Sequence, residues 1–196
     1  MFGWGTGNNP NQTSSNNSDY GTFTDWGSNA ISNGGNEAGL WRTLSKDEWM
    51  YVFGINNGDK RLGATVGGTS NARWTNATIN TDGTGVNGMI LFPDGVTFAA
   101  GEATWGTINA YSSWETKCTT AQWTALENKG CVFLPAAGFL MGTSQYYFDS
   151  SGFYWTSTAE GLTMAYNAQF SSSVSPSTND GYRYIRISVR LVYDIK

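Results

Sequence analysis

The clearest pattern along this chain is the alternation near its C-terminus. Over 185–192, Ile187, Val189 and Leu191 fall on one side and Ser188, Arg190 and Val192 on the other. That is the period of a half-buried strand. Shorter apolar runs precede it at 131–134, 139–142, 153–157 and 165–170, and each predicts a strand. Further upstream, 88–92 is an apolar strand closed by Pro93, and 61–66 reads as another. Two segments follow helical spacing instead. Ser45-Lys46-Asp47-Glu48 is a capping box, followed by Trp49, Val52 and Phe53 and stopped by Gly54, so a helix is expected over about 46–54. Thr119 and Gln122 repeat the box ahead of Trp123 and Leu126, with Gly130 as the stop. This predicts a second helix over about 120–128.

The remaining stretches carry turn chemistry. Residues 1–40 are rich in Gly, Asn and Ser, and Trp4, Tyr20, Phe23 and Trp26 offer anchors that pin an irregular segment to a core. Residues 67–87 and 94–113 read as polar loops, the latter anchored by Trp105 and Tyr111. No repeat or linker divides the chain, so the reading is one domain over 1–196, cut from a longer protein because Met1-Phe2-Gly3-Trp4 begins so abruptly. Two short helices and a strand-rich C-terminal half, joined by many ordered loops, make the expected fold class α+β.

Composition narrows the function. Aromatic residues are 15% of the chain, too many for disorder, while charged residues are only 13%. Net charge is -4, and no Lys or Arg lies between Lys129 and Arg183. Nucleic acid and anionic membrane surfaces need concentrated positive charge and are therefore not expected partners. No apolar run is long enough to span a bilayer, so no membrane insertion is expected. The chain has no His, which excludes Ser-His-Asp and Cys-His catalysis and every His-containing zinc site. Carboxylate-pair chemistry stays open in principle, but the 15 acidic residues are scattered. No cofactor, metal site or catalytic residue is expected.

Three weaker signals remain. Cys118 and Cys131 flank the second helix, which is about 13 Å long. A bridge needs Cα atoms within about 7 Å, so spacing alone leaves thiols and a disulfide both open. Three Asn-x-Ser/Thr triplets, at Asn11, Asn16 and Asn76, match glycosylation acceptors, but chance explains them in a chain this rich in Asn, Ser and Thr. Asn80-Thr81-Asp82-Gly83 reads as a turn before it reads as part of a calcium loop.

Several strings stand in an ordered set along the chain: 2–10 (FGWGTGNNP), 31–35 (ISNGG), 41–49 (WRTLSKDEW), 87–94 (NGMILFPD), 132–138 (VFLPAAG), 154–158 (YWTST) and 188–192 (SVRLV). Together they resemble a large family of proteins from gut Bacteroidales and their phages. That family looks C-type-lectin-like and is related in fold to the formylglycine-generating enzymes. The resemblance covers nearly the whole chain and implies a C-type-lectin-like fold. It also implies further sequence ahead of Phe2, and a place outside the cell, at a bacterial surface or on a phage particle. Some similar proteins are variable proteins of diversity-generating retroelements, in which a rewritten C-terminal segment forms the ligand-binding surface on a fixed frame.

The final 45 residues fit such a description. Tyr154, Trp155, Phe170, Val189 and Leu191 read as frame. Thr156, Thr158, Thr163, Asn167, Gln169, Ser171, Ser173, Ser175, Ser177, Thr178, Asn179, Tyr182 and Tyr184 read as the exposed, ligand-binding set. Tyr, Ser and Asn supply rigid amphipathic area and adaptable hydrogen bonding, although a solvated strand face has the same composition. Relatives tend to place Gly where Arg186 stands, which adds Arg186 to the binding candidates. Cys118 and Cys131 stand where relatives tend to have small non-Cys residues, and their joint presence implies a disulfide. The enzyme branch uses reactive cysteines near the C-terminus, and this chain has none after Cys131. The leading expectation is therefore a ligand-binding surface module, retroelement-diversified or not, whose partner is a protein or glycan on another cell surface. A fixed-specificity glycan-binding adhesin or pilus-tip component is second, and an enzyme resembling the formylglycine-generating group third.

Overall fold

The computed structural model describes residues 4, 20–21, 23–55, 65–66, 69–70, 73–81, 83–94, 96, 114, 117–173 and 177–193. In chain order its strands are β1 Trp41–Thr43, β2 Thr65–Val66, β3 Thr69–Ser70, β4 Trp74–Thr81, β5 Thr84–Leu91, β6 Lys117–Thr119, β7 Val132–Pro135, β8 Phe139–Met141, β9 Ser144–Tyr146, β10 Ser151–Glu160, β11 Met164–Ser171, β12 Ser177–Tyr182 and β13 Leu191–Tyr193. The helices are α1 Lys46–Phe53 and α2 Thr120–Glu127.

Both helices form where their caps are encoded. The Ser45 hydroxyl accepts from the Glu48 N–H at 3.3 Å, and the Glu48 carboxylate accepts from the Ser45 N–H at 2.8 Å. Gly54 closes α1 at φ 70°, in the left-handed region where glycine is unpenalised. Burial raises the Glu48 carboxyl's pKa, but hydrogen bonds from Arg42 and Ser45 outweigh it and hold the group below its ordinary value. Thr119 and Gln122 make the same reciprocal pair at α2.

Strands dominate otherwise, at 47% of the described residues against 17% helical. The fold is mainly β, which overturns the expected α+β class and with it the C-type-lectin-like arrangement. The reason lies in the polar stretch 67–87. There β4 and β5 form an antiparallel hairpin in register from Trp74↔Leu91 to Thr81↔Thr84, with Gly83 at φ 83° in its two-residue connection. Asp82, the carboxylate of the candidate calcium loop, lies outside the described residues. β4 is an inner strand of the four-stranded sheet β6-β4-β5-β7. Its polar residues are buried on both faces because each finds a partner. Asn76 Nδ2 donates to the Ser171 carbonyl at 2.8 Å, which also removes Asn76 as a glycosylation acceptor. The Thr78 hydroxyl meets Asn87 at 2.6 Å and accepts from Lys117 at 3.0 Å. A hydrophobic pattern cannot report a strand stabilised this way. Conversely, 185–192 is mostly irregular, contributing isolated bridges at Arg186 and Ser188 before β13. Of the expected strand over 61–66, only β2 falls within the described residues.

Two cores result. One face of the four-stranded sheet packs Ala77, Ile79 and Ile90 with Leu126 of α2. The other packs Trp74, Met89 and Leu134 with Trp49 and Phe53 of α1 and with Tyr154, Ala168 and Phe170 of the three-stranded sheet β10-β11-β12. The N-terminal region ties to the C-terminal one at several points, among them the β1–β13 pairing and Trp4, whose indole donates to the Thr156 carbonyl at 3.1 Å.

Cys118 and Cys131 are free and buried, so the expected disulfide is absent. Cys118 lies in β6 and Cys131 stands one residue before β7, at opposite edges of the same sheet. Three inter-strand steps put those edges roughly 14 Å apart, beyond any bridge, and α2 spans the gap. Burial pushes the Cys118 thiol to about 12 and the Cys131 thiol to about 11, the latter opposed by Lys129. Raised acid pKa values favour the neutral thiol in the fold. That stabilisation is complete below the ordinary thiol value of 9.0 and fades as pH climbs from there through the folded values. Alkylation with iodoacetamide at neutral pH is thus expected to label neither thiol in the native protein and both in denaturant. A native mass lighter by two hydrogens would overturn this.

Candidate functional site

The three-stranded sheet carries the candidate site, and register assigns its faces. Tyr154, Ala168 and Thr178 are cross-strand neighbours on the face toward α1. Phe170 lies there too, so close over Gly152 that a Cβ at that residue would come within 2.2 Å of its ring. Lys46 of α1 sits 3.7 Å over the Tyr166 ring. The opposite face carries two full rows, Phe153–Gln169–Ser177 and Trp155–Asn167–Asn179, and then Ala165–Gly181. At the Trp155 end this face is roofed by Trp4, Phe23, Ile187 and Val189. At the Phe153 end it meets a cluster of rings.

That cluster comes from the β8–β9 hairpin and the turn after it. Phe139 stacks on Tyr146 at 5.2 Å, meets the Phe153 ring edge-on at 5.3 Å, and lies 5.7 Å from Tyr147. The turn is held in place by its backbone. Tyr147 and Asp149 adopt positive φ values of 53° and 57°, the Tyr147 carbonyl accepts from the Ser150 and Ser151 N–H groups, and Asp149 accepts from the Asn87 N–H at 3.1 Å. Gly138 is required here: it has φ 61°, and a Cβ on it would lie 2.1 Å from the Tyr146 carbonyl. Fixed in this way, Tyr147 is 59% and Phe148 66% exposed, a large aromatic area left in water. The signal for it was present as Tyr146-Tyr147-Phe148 within a Gly/Ser-rich turn. Periodicity passed over it because these rings do not alternate.

The expected binding residues do not gather on one surface. Gln169, Ser177 and Asn179 share the open part of this face, with Gln169 Nε2 3.2 Å from the Ser177 hydroxyl, and Asn167 lies buried on the same face toward its roofed end. Ser171 and Ser173 follow at the end of β11, their hydroxyls 3.4 Å apart. Thr163, Tyr182 and Tyr184 gather instead at the β10–β11 turn, where the two tyrosine rings stack at 5.4 Å. Thr178 faces α1, and Ser175 lies outside the described residues. Two of the candidates belong to the frame. Thr156 is fully buried, donating to the Tyr166 carbonyl at 2.9 Å and accepting from the Thr158 N–H at 3.0 Å, where the β10–β11 register shifts. The Thr158 hydroxyl accepts from the Lys46 N–H at 3.0 Å, at the start of α1. These short hydroxyls look like recognition residues in sequence and act as internal caps in the structure. The Arg186 guanidinium donates to the Gly142 carbonyl, tying this segment to the hairpin.

The polar balance of the open face has one gap. Asn167 is 6% exposed, and its Oδ1 has no hydrogen-bond partner. Tyr154, on the other face, is satisfied: its hydroxyl donates to the Pro135 carbonyl at 2.7 Å, and burial holds its pKa far above the ordinary value against the pull of Arg190. Among the described residues, no group of three or more Cys, Asp or Glu side chains gathers as a metal site would require. No helix there is long and apolar enough to cross a membrane.

Fold and site together define a mainly β module with an open surface of aromatic rings, amides and hydroxyls. A family described as a domain of unknown function (DUF8237) matches residues 102–192, the stretch that holds β6 through β12 and every candidate binding residue. No curated protein and no solved structure matches the chain.

Proposed function

We propose that this chain is a ligand-binding surface module, displayed outside a bacterial cell, and not an enzyme. The observation that carries the reading is the contiguity of two surfaces. The exposed ring of Tyr147, beside exposed Phe148 in the same turn, adjoins through Phe139 and Phe153 the face that carries Gln169, Ser177 and Asn179. Large rigid rings beside adaptable hydrogen-bonding groups are what recognition surfaces use, because little side-chain entropy is lost on binding. The absence of His from the sequence removes the commonest acid–base residue and supports a non-catalytic role.

Binding of the fluorescently labelled protein to a panel of bacterial and epithelial cell surfaces tests this. Saturable binding is expected, with affinity falling at least about tenfold in Tyr147→Ala, as for a central aromatic contact. Because that ring is mostly in water, the melting temperature should barely move. Absence of saturable binding, or binding unchanged by Tyr147→Ala, would sink the reading.

A further inference from the structure

We infer that the outer edge of β12 is a docking strand for an extended polypeptide segment that sets a Lys or Arg against Asp180. This edge lies apart from the aromatic rings, and the inference goes beyond the binding surface described above.

β12 closes one side of the three-stranded sheet, and among the described residues no strand pairs with its other side. It is six residues long, and its register with β11 runs unbroken from Gln169↔Ser177 to Met164↔Tyr182. Proteins usually blunt such an edge with Pro, Lys, a bulge or a covering segment, because its free N–H and C=O groups template another strand. β12 contains no Pro, Lys or bulge, and Asn179, Asp180 and Tyr182 are exposed.

The ladder fixes which backbone groups are free. The Arg183 N–H donates to the Thr163 carbonyl at 3.2 Å, so the pair that follows Tyr182↔Met164 is hydrogen-bonded. Bonded and non-bonded pairs alternate in an antiparallel ladder. Residues 177, 179 and 181 therefore bond to β11, and Thr178, Asp180 and Tyr182 turn their backbone groups outward. Two contacts agree. The Tyr166 carbonyl, whose residue stands opposite Asp180, accepts from Thr156 of β10 at 2.9 Å. The Asp180 N–H donates to Asn179 Oδ1 at 3.0 Å and not to β11. The Tyr182 carbonyl is taken by the Ile185 N–H. A guest strand thus meets the Thr178 N–H and C=O, the Asp180 C=O and the Tyr182 N–H, at two-residue intervals of roughly 7 Å.

Side chains select the guest. Thr178, Asp180 and Tyr182 share one face of the strand. Among the described residues the Asp180 carboxylate makes no ion pair, and Lys46 lies over the Tyr166 ring instead. In a chain of net charge -4, that carboxylate favours a cation opposite it. Tyr182, stacked on Tyr184 at 5.4 Å, offers ring area to an apolar residue two positions away. A second copy of the chain is disfavoured. Pairing the two edges in full overlap places Asp180 against its own copy, and like charges directly opposite destabilise a ladder. The guest so defined is an antiparallel strand in which an apolar, a basic and a β-branched residue alternate with others, facing Tyr182, Asp180 and Thr178 in turn.

The probe is the capped peptide Thr-Val-Thr-Lys-Thr-Val-Thr, titrated into isotope-labelled protein and followed by NMR. Saturable shifts are expected at the Thr178, Asp180 and Tyr182 amides. Replacing the peptide's Lys by Glu should weaken binding about tenfold, and Asp180→Lys should reverse that preference. Methylating the backbone nitrogen of the peptide's Lys keeps the charge but deletes the donor to the Asp180 carbonyl, and should abolish binding. Thr178→Pro deletes only an outward N–H, a change that edge strands tolerate, and should do the same. Tyr147→Ala should leave peptide binding unchanged, so failure here and failure of the aromatic surface are told apart. Absence of saturable shifts, or binding indifferent to the backbone methyl or to the charge of the central residue, would overturn the inference. So would dimerisation of the native protein that Thr178→Pro abolishes, because a second copy would then occupy the edge.

Discussion

Truncating Trp49 to alanine is expected to cost the folded state about 3–5 kcal/mol, the range for removing a large aromatic from a packed core. Trp49 is 1% exposed. It joins α1 to both sheets, with ring centroids 5.2 Å from Phe53 and 6.1 Å from Tyr154. These neighbours come from a helix and a strand, so no single side chain can swing in to fill the void. Domains are stable by only about 5–15 kcal/mol, and at about 2–4 °C per kcal/mol for a chain of this size the melting temperature should fall by roughly 6–20 °C. Trp49→Phe should lose less than half as much. It keeps most of the contact area and deletes the indole N–H, which has no partner in the fold. Equal losses in the two variants would show that the site relaxes freely, contrary to the packing described. Equilibrium denaturation of both proteins decides it.

Arg183→Ala is expected to cost about 3 kcal/mol or more, by a different mechanism. Arg183 is 3% exposed, and its guanidinium donates to four backbone carbonyls. Nε reaches Met164 at 3.0 Å, Nη1 reaches Gly21 at 3.0 Å and Tyr20 at 3.3 Å, and Nη2 reaches Gly161 at 3.0 Å. Its Cζ lies 4.3 Å over the Trp4 ring. Removing the side chain leaves carbonyls without their donor, and each buried one costs about 1–3 kcal/mol unless water enters. Arg183→Lys should rescue little, since one ammonium cannot reproduce a planar fork aimed in several directions. The loss should appear first as faster proteolysis near residue 20, because Arg183 ties that segment to the β10–β11 turn. A stability change under about 1 kcal/mol, with unchanged proteolysis, would contradict this account.

Arg183 also shows where a sequence reading stops. It stands in the sequence as the first cation after a long stretch without Lys or Arg, and nothing local says that two of its partners lie more than 160 residues away. The open face has the same character. Gln169, Ser177 and Asn179 were recognisable as polar positions between apolar ones, and the structure does bring them together. Thr156 was indistinguishable from them by type and spacing, yet it is an internal cap. Asn167 shares their face but lies beneath it.

Some features needed only neighbouring residues. The two capped helices follow from Ser45 with Glu48 and Thr119 with Gln122, because a capping box closes within four residues and carries its own hydrogen bonds. The strands over 131–134, 153–157 and 165–170 follow from apolar runs bounded by turn residues. The absence of His excludes whole classes of chemistry wherever the chain goes. Other features were decided by tertiary contact alone. β4 is a strand because distant Ser171 and Lys117 satisfy its buried Asn76 and Thr78. The cysteines stay apart because β6 and β7 occupy opposite edges of one sheet. The exposed rings at 146–148 form a surface because Gly138, Asn87 and Phe153, which are distant or non-adjacent in sequence, fix the turn that holds them. Local hydrogen bonds and periodicity can be read from a short window of sequence. The pairing of buried polar groups, and the face a side chain finally presents, depend on partners that only the folded chain brings within reach.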